Sequence, residues 1–199
     1  GAGVRPMDGT KVVYNGIISD SIAANGIFRS GPGYMFVLAP SNAINGNFMS
    51  KAGIRNFGGI TRAMGDYSFG LPFSNSIIRL GDGNSYDLNG FTVYKDVEHW
   101  DAGYAIRNYN LENCSTCTVN ALLNFGGTRY NLFSGPGDIV WSGNIITGSP
   151  DASRGVLMKG GSGTLVYQGA SAFTNFVAAR GGTLVLDYRN NNSRKLASA

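Results

Sequence analysis

Apolar residues along this chain come in short runs of about four to seven, each bounded by Gly, Asn, Ser or Pro. The clearest are Val12 to Ile18, Tyr34 to Leu38, Ile77 to Leu80, Phe91 to Tyr94, Thr118 to Leu123, Asp138 to Trp141, Thr164 to Tyr167 and Thr183 to Tyr188. Runs of this length between turn-forming residues predict β-strands. No window carries apolar residues at i, i+3, i+4 and i+7 between caps, so no helix longer than a turn is predicted.

Part of the pattern occurs twice. Tyr14-Asn-Gly-Ile-Ile-Ser19 is echoed by Trp141-Ser-Gly-Asn-Ile-Ile-Thr147, 127 residues further on. Each is followed by a short run ending in a basic residue (Arg29, Lys159) and then by a Gly-x-Gly strand, Gly31-Pro-Gly-Tyr-Met-Phe-Val-Leu38 and Gly161-Ser-Gly-Thr-Leu-Val-Tyr167. The cassettes cover about 14–58 and 141–187, and residues 58–140 between them have the same texture. Units of roughly 20 to 25 residues are too small to bury an apolar face alone and must stack on their neighbours. The expected fold is therefore all-β: a right-handed parallel β-helix, or β-solenoid, forming one domain over residues 1–199 with roughly nine rungs about 4.8 Å apart. Its core would take Ile18, Val37, Ile54, Ile146, Leu165 and Leu184.

Composition supports strands and turns. Hydrophobic residues make up 43% of the 199, enough for a core, while only 14% are charged, fewer than the exposed faces of helical bundles require. The 30 Gly and 20 Asn suit corners that visit left-handed backbone conformations. The net charge of +4 is scattered, and Arg189, Arg194 and Lys195 lie among Asn residues, so no nucleic-acid footprint is read. No 18-residue apolar stretch is present, and no membrane insertion by this segment is expected. The opening Gly1-Ala-Gly-Val4 has no Met or signal pattern, and Lys195 to Ala199 is short for a cap. Both features read as a segment of a longer parent that continues into further rungs or self-associates.

The second cassette resembles the autotransporter-associated β-strand repeat, also called the passenger-associated transport repeat. Gly161-Ser-Gly-Thr-Leu-Val-Tyr-Gln-Gly169 is similar to its opening and Gly182-Thr-Leu-Val-Leu186 to its close. The first cassette supplies Gly33, Leu38, Asn42, Gly46 and Ala52-Gly-Ile54. It has Tyr34-Met35 where the repeat has Thr-Leu, and the second has Phe173-Thr-Asn-Phe176 in place of a Tyr-Thr-Gly-Gly turn. The resemblance implies a β-helical extracellular passenger segment at the bacterial cell surface, structural or adhesive, with no catalytic residues, no cofactor and possible contact with surface glycans.

The alternative is a glycan-binding or glycan-cleaving protein. Glycoside hydrolysis needs two carboxylates roughly 5 to 10 Å apart. The richest stretch is Lys95 to Asp101, with Asp96, Glu98, His99 and Asp101 as acid–base candidates and Trp100 as a sugar-stacking ligand. On a strand Asp96, Glu98 and Trp100 share one face. Asp82 and Asp87 form a second acid pair, around a Gly-Asp-Gly-Asn turn that lacks the other ligands of a calcium loop. A viral or phage fibre segment is a third reading. Cys114 and Cys117 are a disulfide candidate; a single CxxC with the only histidine, His99, fifteen residues away completes no metal site.

Overall fold

A computed structural model describes residues 3–4, 10–17, 27–29, 35–37, 48–50, 59–70, 77–80, 85–99, 104–117, 121–123, 131–147, 157–170 and 177–189. Nineteen strands, β1 to β19 in chain order, lie in them, none longer than four residues. A seven-stranded sheet runs β1 (Gly3–Val4), β3 (Ile27–Arg29), β5 (Phe48–Ser50), β7 (Ile77–Leu80), β9 (Asp96–His99), β12 (Ala121–Leu123) and β15 (Ile145–Thr147). An eight-stranded sheet runs β2 (Lys11–Val13), β4 (Met35–Val37), β6 (Ile60–Arg62), β8 (Ser85–Asp87), β10 (Tyr104–Arg107), β13 (Asn131–Ser134), β16 (Leu157–Lys159) and β18 (Val177–Ala179). The third sheet has four strands, β11 (Ser115–Cys117), β14 (Ile139–Trp141), β17 (Thr164–Tyr167) and β19 (Thr183–Leu186). Every described strand pairing is parallel.

These sheets correct the expected architecture. The described residues define no closed right-handed solenoid of roughly nine equivalent rungs; they define three parallel sheets of seven, eight and four strands. Two features work against equivalent rungs. The third sheet starts only at β11, preceded by an isolated bridge from Val93 to Cys117, so the earlier repeats contribute two described strands and the later ones three. The step between neighbouring layers also varies: side chains contact the next layer 26 residues away at Ser142–Gln168 but 19 away at Gln168–Asp187. The strands matched between the two sequence cassettes fall in different sheets, β3 against β16 and β4 against β17.

The core forms where inward positions stack in columns. In the third sheet Cys117, Trp141 and Tyr167 are in register, as are Ile139 and Leu165, and all five are fully buried. In the second sheet Tyr86, Ile106 and Phe133 are in register and buried. Aromatic edges join them, with Phe133 set T-shaped on Trp141 at 5.1 Å and Phe69 tilted on Tyr86 at 4.8 Å. Of the core positions expected from sequence, Leu165 is buried and Leu184 packs against the cluster half-exposed. Ile18 and Ile54 lie outside the described residues, as do the side chains of Val37 and Ile146.

Glycine pairs make the corners between the second and third sheets. Gly135 (φ 107°) and Gly161 (φ 72°) both occupy the left-handed region and stack so closely that a Cβ on Gly161 would lie 2.5 Å from the Gly135 nitrogen. Gly163 sits over Gly137 in the same way, at 2.3 Å from its carbonyl oxygen. At Gly161-Ser-Gly163 the Gly-x-Gly phrase is thus a steric requirement of stacked corners.

Candidate functional site

The acidic stretch picked out by sequence is only partly assembled. Asp96 opens β9 half-exposed, and Val97 beside it is buried in the core. Glu98 and His99 complete the strand, in register with Leu122 and Leu123, while Trp100 and Asp101 lie outside the described residues. Asp82 also lies outside them. Its partner Asp87 is fully buried at the end of β8, where it accepts from Arg62 Nε at 2.6 Å and from the backbone amides of Asn89 and Tyr109 at 3.0 Å each. A carboxylate held by three donors from three layers fixes turns.

Side chains in the turns beside the strands form a lattice of this kind. Asn108, fully buried after β10, uses its whole amide: Oδ1 accepts from the backbone amides of Gly90 and Asn110 at 3.0 Å each, and Nδ2 donates to the carbonyls of Asn113 at 3.0 Å and Asp138 at 2.7 Å. Asp66 accepts from Thr92 N, Asp138 from Thr164 N and Asn144 from Ala170 N, each linking positions 26 residues apart. The sequence signal for these residues was an Asn or Asp at the border of an apolar run, read as turn chemistry without its target in the next layer.

Two charged residues join the lattice. Lys159 ends β16 with its ammonium turned into the glycine corner, donating to the carbonyls of Gly160, Gly161 and Gly181 at 2.6, 3.1 and 3.3 Å. Burial lowers its pKa from the ordinary lysine value, partly opposed by Asp138. Asp187 follows β19 and takes Arg189 through both oxygens, at 2.9 and 2.8 Å. The Arg189 side chain first, then its backbone amide and Gln168, hold this carboxyl well below the usual carboxylate range.

The cysteines are unbonded thiols in this structure. Alternation along β11 turns Cys117 into the core, while Cys114 before the strand is exposed and donates weakly to the Ser115 carbonyl at 3.6 Å. Burial pushes the Cys117 thiol up to about 12, with a smaller rise from Cys114 and an opposing hydrogen bond at the Val93 backbone. Cys114 is also raised, by partial burial and then by the charge of Asp138. Among the described residues no three His, Cys, Asp or Glu side chains approach closely enough to hold a metal ion, and no helix is long and apolar enough to cross a membrane.

One surface feature was not foreseen. Tyr67 and Tyr94, from successive layers, stack at 5.1 Å and 20°, with Tyr67 exposed. No family model, no curated protein and no solved structure matches the chain.

Proposed function

We propose that this chain is a non-enzymatic structural or adhesive segment of a secreted or cell-surface bacterial protein, of the stalk, fibre or adhesin-passenger kind. The observation that carries this reading is the turn lattice. The buried polar groups of Asp87, Asn108 and Lys159 bind the backbone of their own and neighbouring turns, so each layer is clamped to the next. A body built this way resists local opening, which suits a load-bearing or surface-presenting role. The resemblance of the second cassette to passenger repeats supports the bacterial, extracellular setting. The test pairs limited proteolysis with a reducing-sugar and lyase screen on plant, algal and bacterial glycans. Slow cleavage that Asn108→Ala accelerates, without turnover, is expected; turnover abolished by Glu98→Gln or Asp101→Asn would overturn the reading.

The stacked tyrosines favour a second reading, glycan binding, because sugar rings pack on exposed aromatic faces. Retention on a glycan array that Tyr67→Ala removes would support it.

A further inference from the structure

Tyr67 and Tyr94 stand in the turns that leave the second sheet, Tyr67 between β6 and β7 and Tyr94 between β8 and β9. The flanking strands pair in parallel register, β6 with β8 and β7 with β9, so the two turns lie one above the other. Three hydrogen bonds tie the turns together: Ala63 N donates to the Asp87 carbonyl at 2.9 Å, Asn89 Nδ2 to the Ala63 carbonyl at 3.1 Å, and Thr92 N to Asp66 Oδ1 at 2.9 Å. Neighbours in the chain anchor each tyrosine. Ser68 and Phe69 after Tyr67 are buried, as are Val93 and Lys95 on either side of Tyr94, and alternation between those two turns the Tyr94 ring outward. The backbone therefore holds the rings against each other.

The stack is an offset one, its planes 20° apart and its centroids 5.1 Å apart, wider than contact between two ring faces, so the edge of one ring lies over the other. Tyr67 is exposed and Tyr94 half-buried. A phenol that solvent-borne oxidants reach, packed on a second phenol, has its partner for radical coupling already in place. We infer that Tyr67 and Tyr94 are an oxidative cross-linking site, joined ring to ring as a dityrosine by hydrogen peroxide and a haem peroxidase. Each phenol gives up one electron and its hydroxyl proton. The two tyrosyl radicals join by a carbon–carbon bond between positions ortho to the hydroxyls, and each of those carbons passes its proton to its own phenol oxygen, restoring the aromatic ring. The protein loses two hydrogens in all, and the two electrons and two protons reduce one peroxide to two waters. The bond ties positions 27 apart in sequence, a covalent counterpart of the hydrogen bonds by which Asp87 and Asn108 clamp successive layers. The inference goes beyond the structural reading, and it is separate from the glycan reading, which uses the face of Tyr67 turned to solvent.

The test treats the dilute 199-residue chain with peroxidase and hydrogen peroxide, a parallel sample of free tyrosine showing by its dimerisation that the oxidant is active. The monomer is isolated by size exclusion and digested with trypsin. Cleavage after Arg62, Arg79 and Lys95 puts Tyr67 in peptide 63–79 and Tyr94 in peptide 80–95. Neither peptide holds a cysteine, so a joined species two hydrogens lighter than their sum reports a tyrosine bond and not a disulfide. An oxygen added to exposed Met64 changes the mass of the first peptide but not the link. Fragmentation is expected to place the link at Tyr94 and not at Tyr86, which is buried against Phe69. Tyr67→Phe and Tyr94→Phe each keep a stacking ring and remove one phenol, and each is expected to abolish the joined peptide with circular dichroism unchanged. Should either variant misfold, the position of the link in the wild-type fragments decides alone. A wild-type monomer without the joined peptide while free tyrosine dimerises, a link through Tyr86, or a joined peptide that survives both substitutions would overturn the inference. Neither protease resistance nor glycan retention enters this readout, so its failure leaves those readings to their own tests.

Discussion

Thr61 occupies the inward column of the second sheet between Met35–Val37 and Ser85–Asp87, fully buried, and its hydroxyl has no hydrogen-bond partner among the described residues. A buried hydroxyl without a partner carries a desolvation cost that an apolar group of the same shape avoids. Thr61→Val is therefore expected to stabilise the protein by up to about 1 kcal/mol in urea denaturation; a loss of that size would mean that the hydroxyl is bonded. The cysteines give a second test at this scale. Thiolate is the reactive form, so Cys114, exposed but raised, is expected to label slowly near neutral pH and faster as pH rises. Cys117 should label only with global unfolding. Mass spectrometry after pulsed maleimide labelling distinguishes the two, and labelling of Cys117 at the rate of Cys114 in the native protein would contradict its burial.

At the scale of the element, the corner glycines and Asn108 set the connections. Gly161→Ala puts a methyl group 2.5 Å from the Gly135 nitrogen in a left-handed conformation, and a cost of roughly 2 to 4 kcal/mol is expected. Gly16, whose Cβ would meet only the Tyr14 ring at 3.2 Å, serves as the control and should tolerate Ala. These elements show how much the sequence revealed. Ile77–Leu80 and Thr164–Tyr167 are strands over the residues read from hydrophobicity, whereas Val12 to Ile18 shrinks to Lys11–Val13 and Phe91 to Tyr94 to a single bridge at Val93. Strand β8, Ser85–Asp87, was missed because two of its three buried residues are polar, which alternation rules count as surface. The cassette alignment misled as well: β3 and β4 of the first cassette lie in the first and second sheets, whereas β16 and β17, their matches in the second, lie in the second and third.

At the scale of the molecule, local sequence pattern conveyed strands, turns and parallel stacking but not the sheet count or the assembly of a site, because a residue's contact in the next layer lies about 25 positions away. Such contacts also set how stability depends on pH. In acid, Asp187 is held below the ordinary carboxyl value by Arg189, so it stabilises the fold above the unfolded pKa of 3.8, and that contribution is lost as pH falls below it. In alkali two groups oppose one another. Lys159 has a lowered pKa, so the folded state releases its proton first, and stability from this residue rises with pH up to the ordinary 10.5. Cys117 is raised from 9.0 to about 12, so its contribution is fully present below pH 9 and lost between 9 and 12, a change worth roughly 4 kcal/mol. The buried thiol is the larger effect, since Lys159 keeps three carbonyl partners and the attraction of Asp138 for its charged form. The expected curve under reducing conditions is therefore flat near neutrality, falls in acid and falls again above about pH 9. Asp187→Asn should flatten the acid limb, Cys117→Ala should remove most of the alkaline fall, and Lys159→Met should steepen it by deleting the opposing rise. Denaturant midpoints measured from pH 3 to 11 decide the matter: if stability climbs above pH 9 in the wild type, or if Cys117→Ala leaves the alkaline limb unchanged, the burial of Cys117 does not govern it.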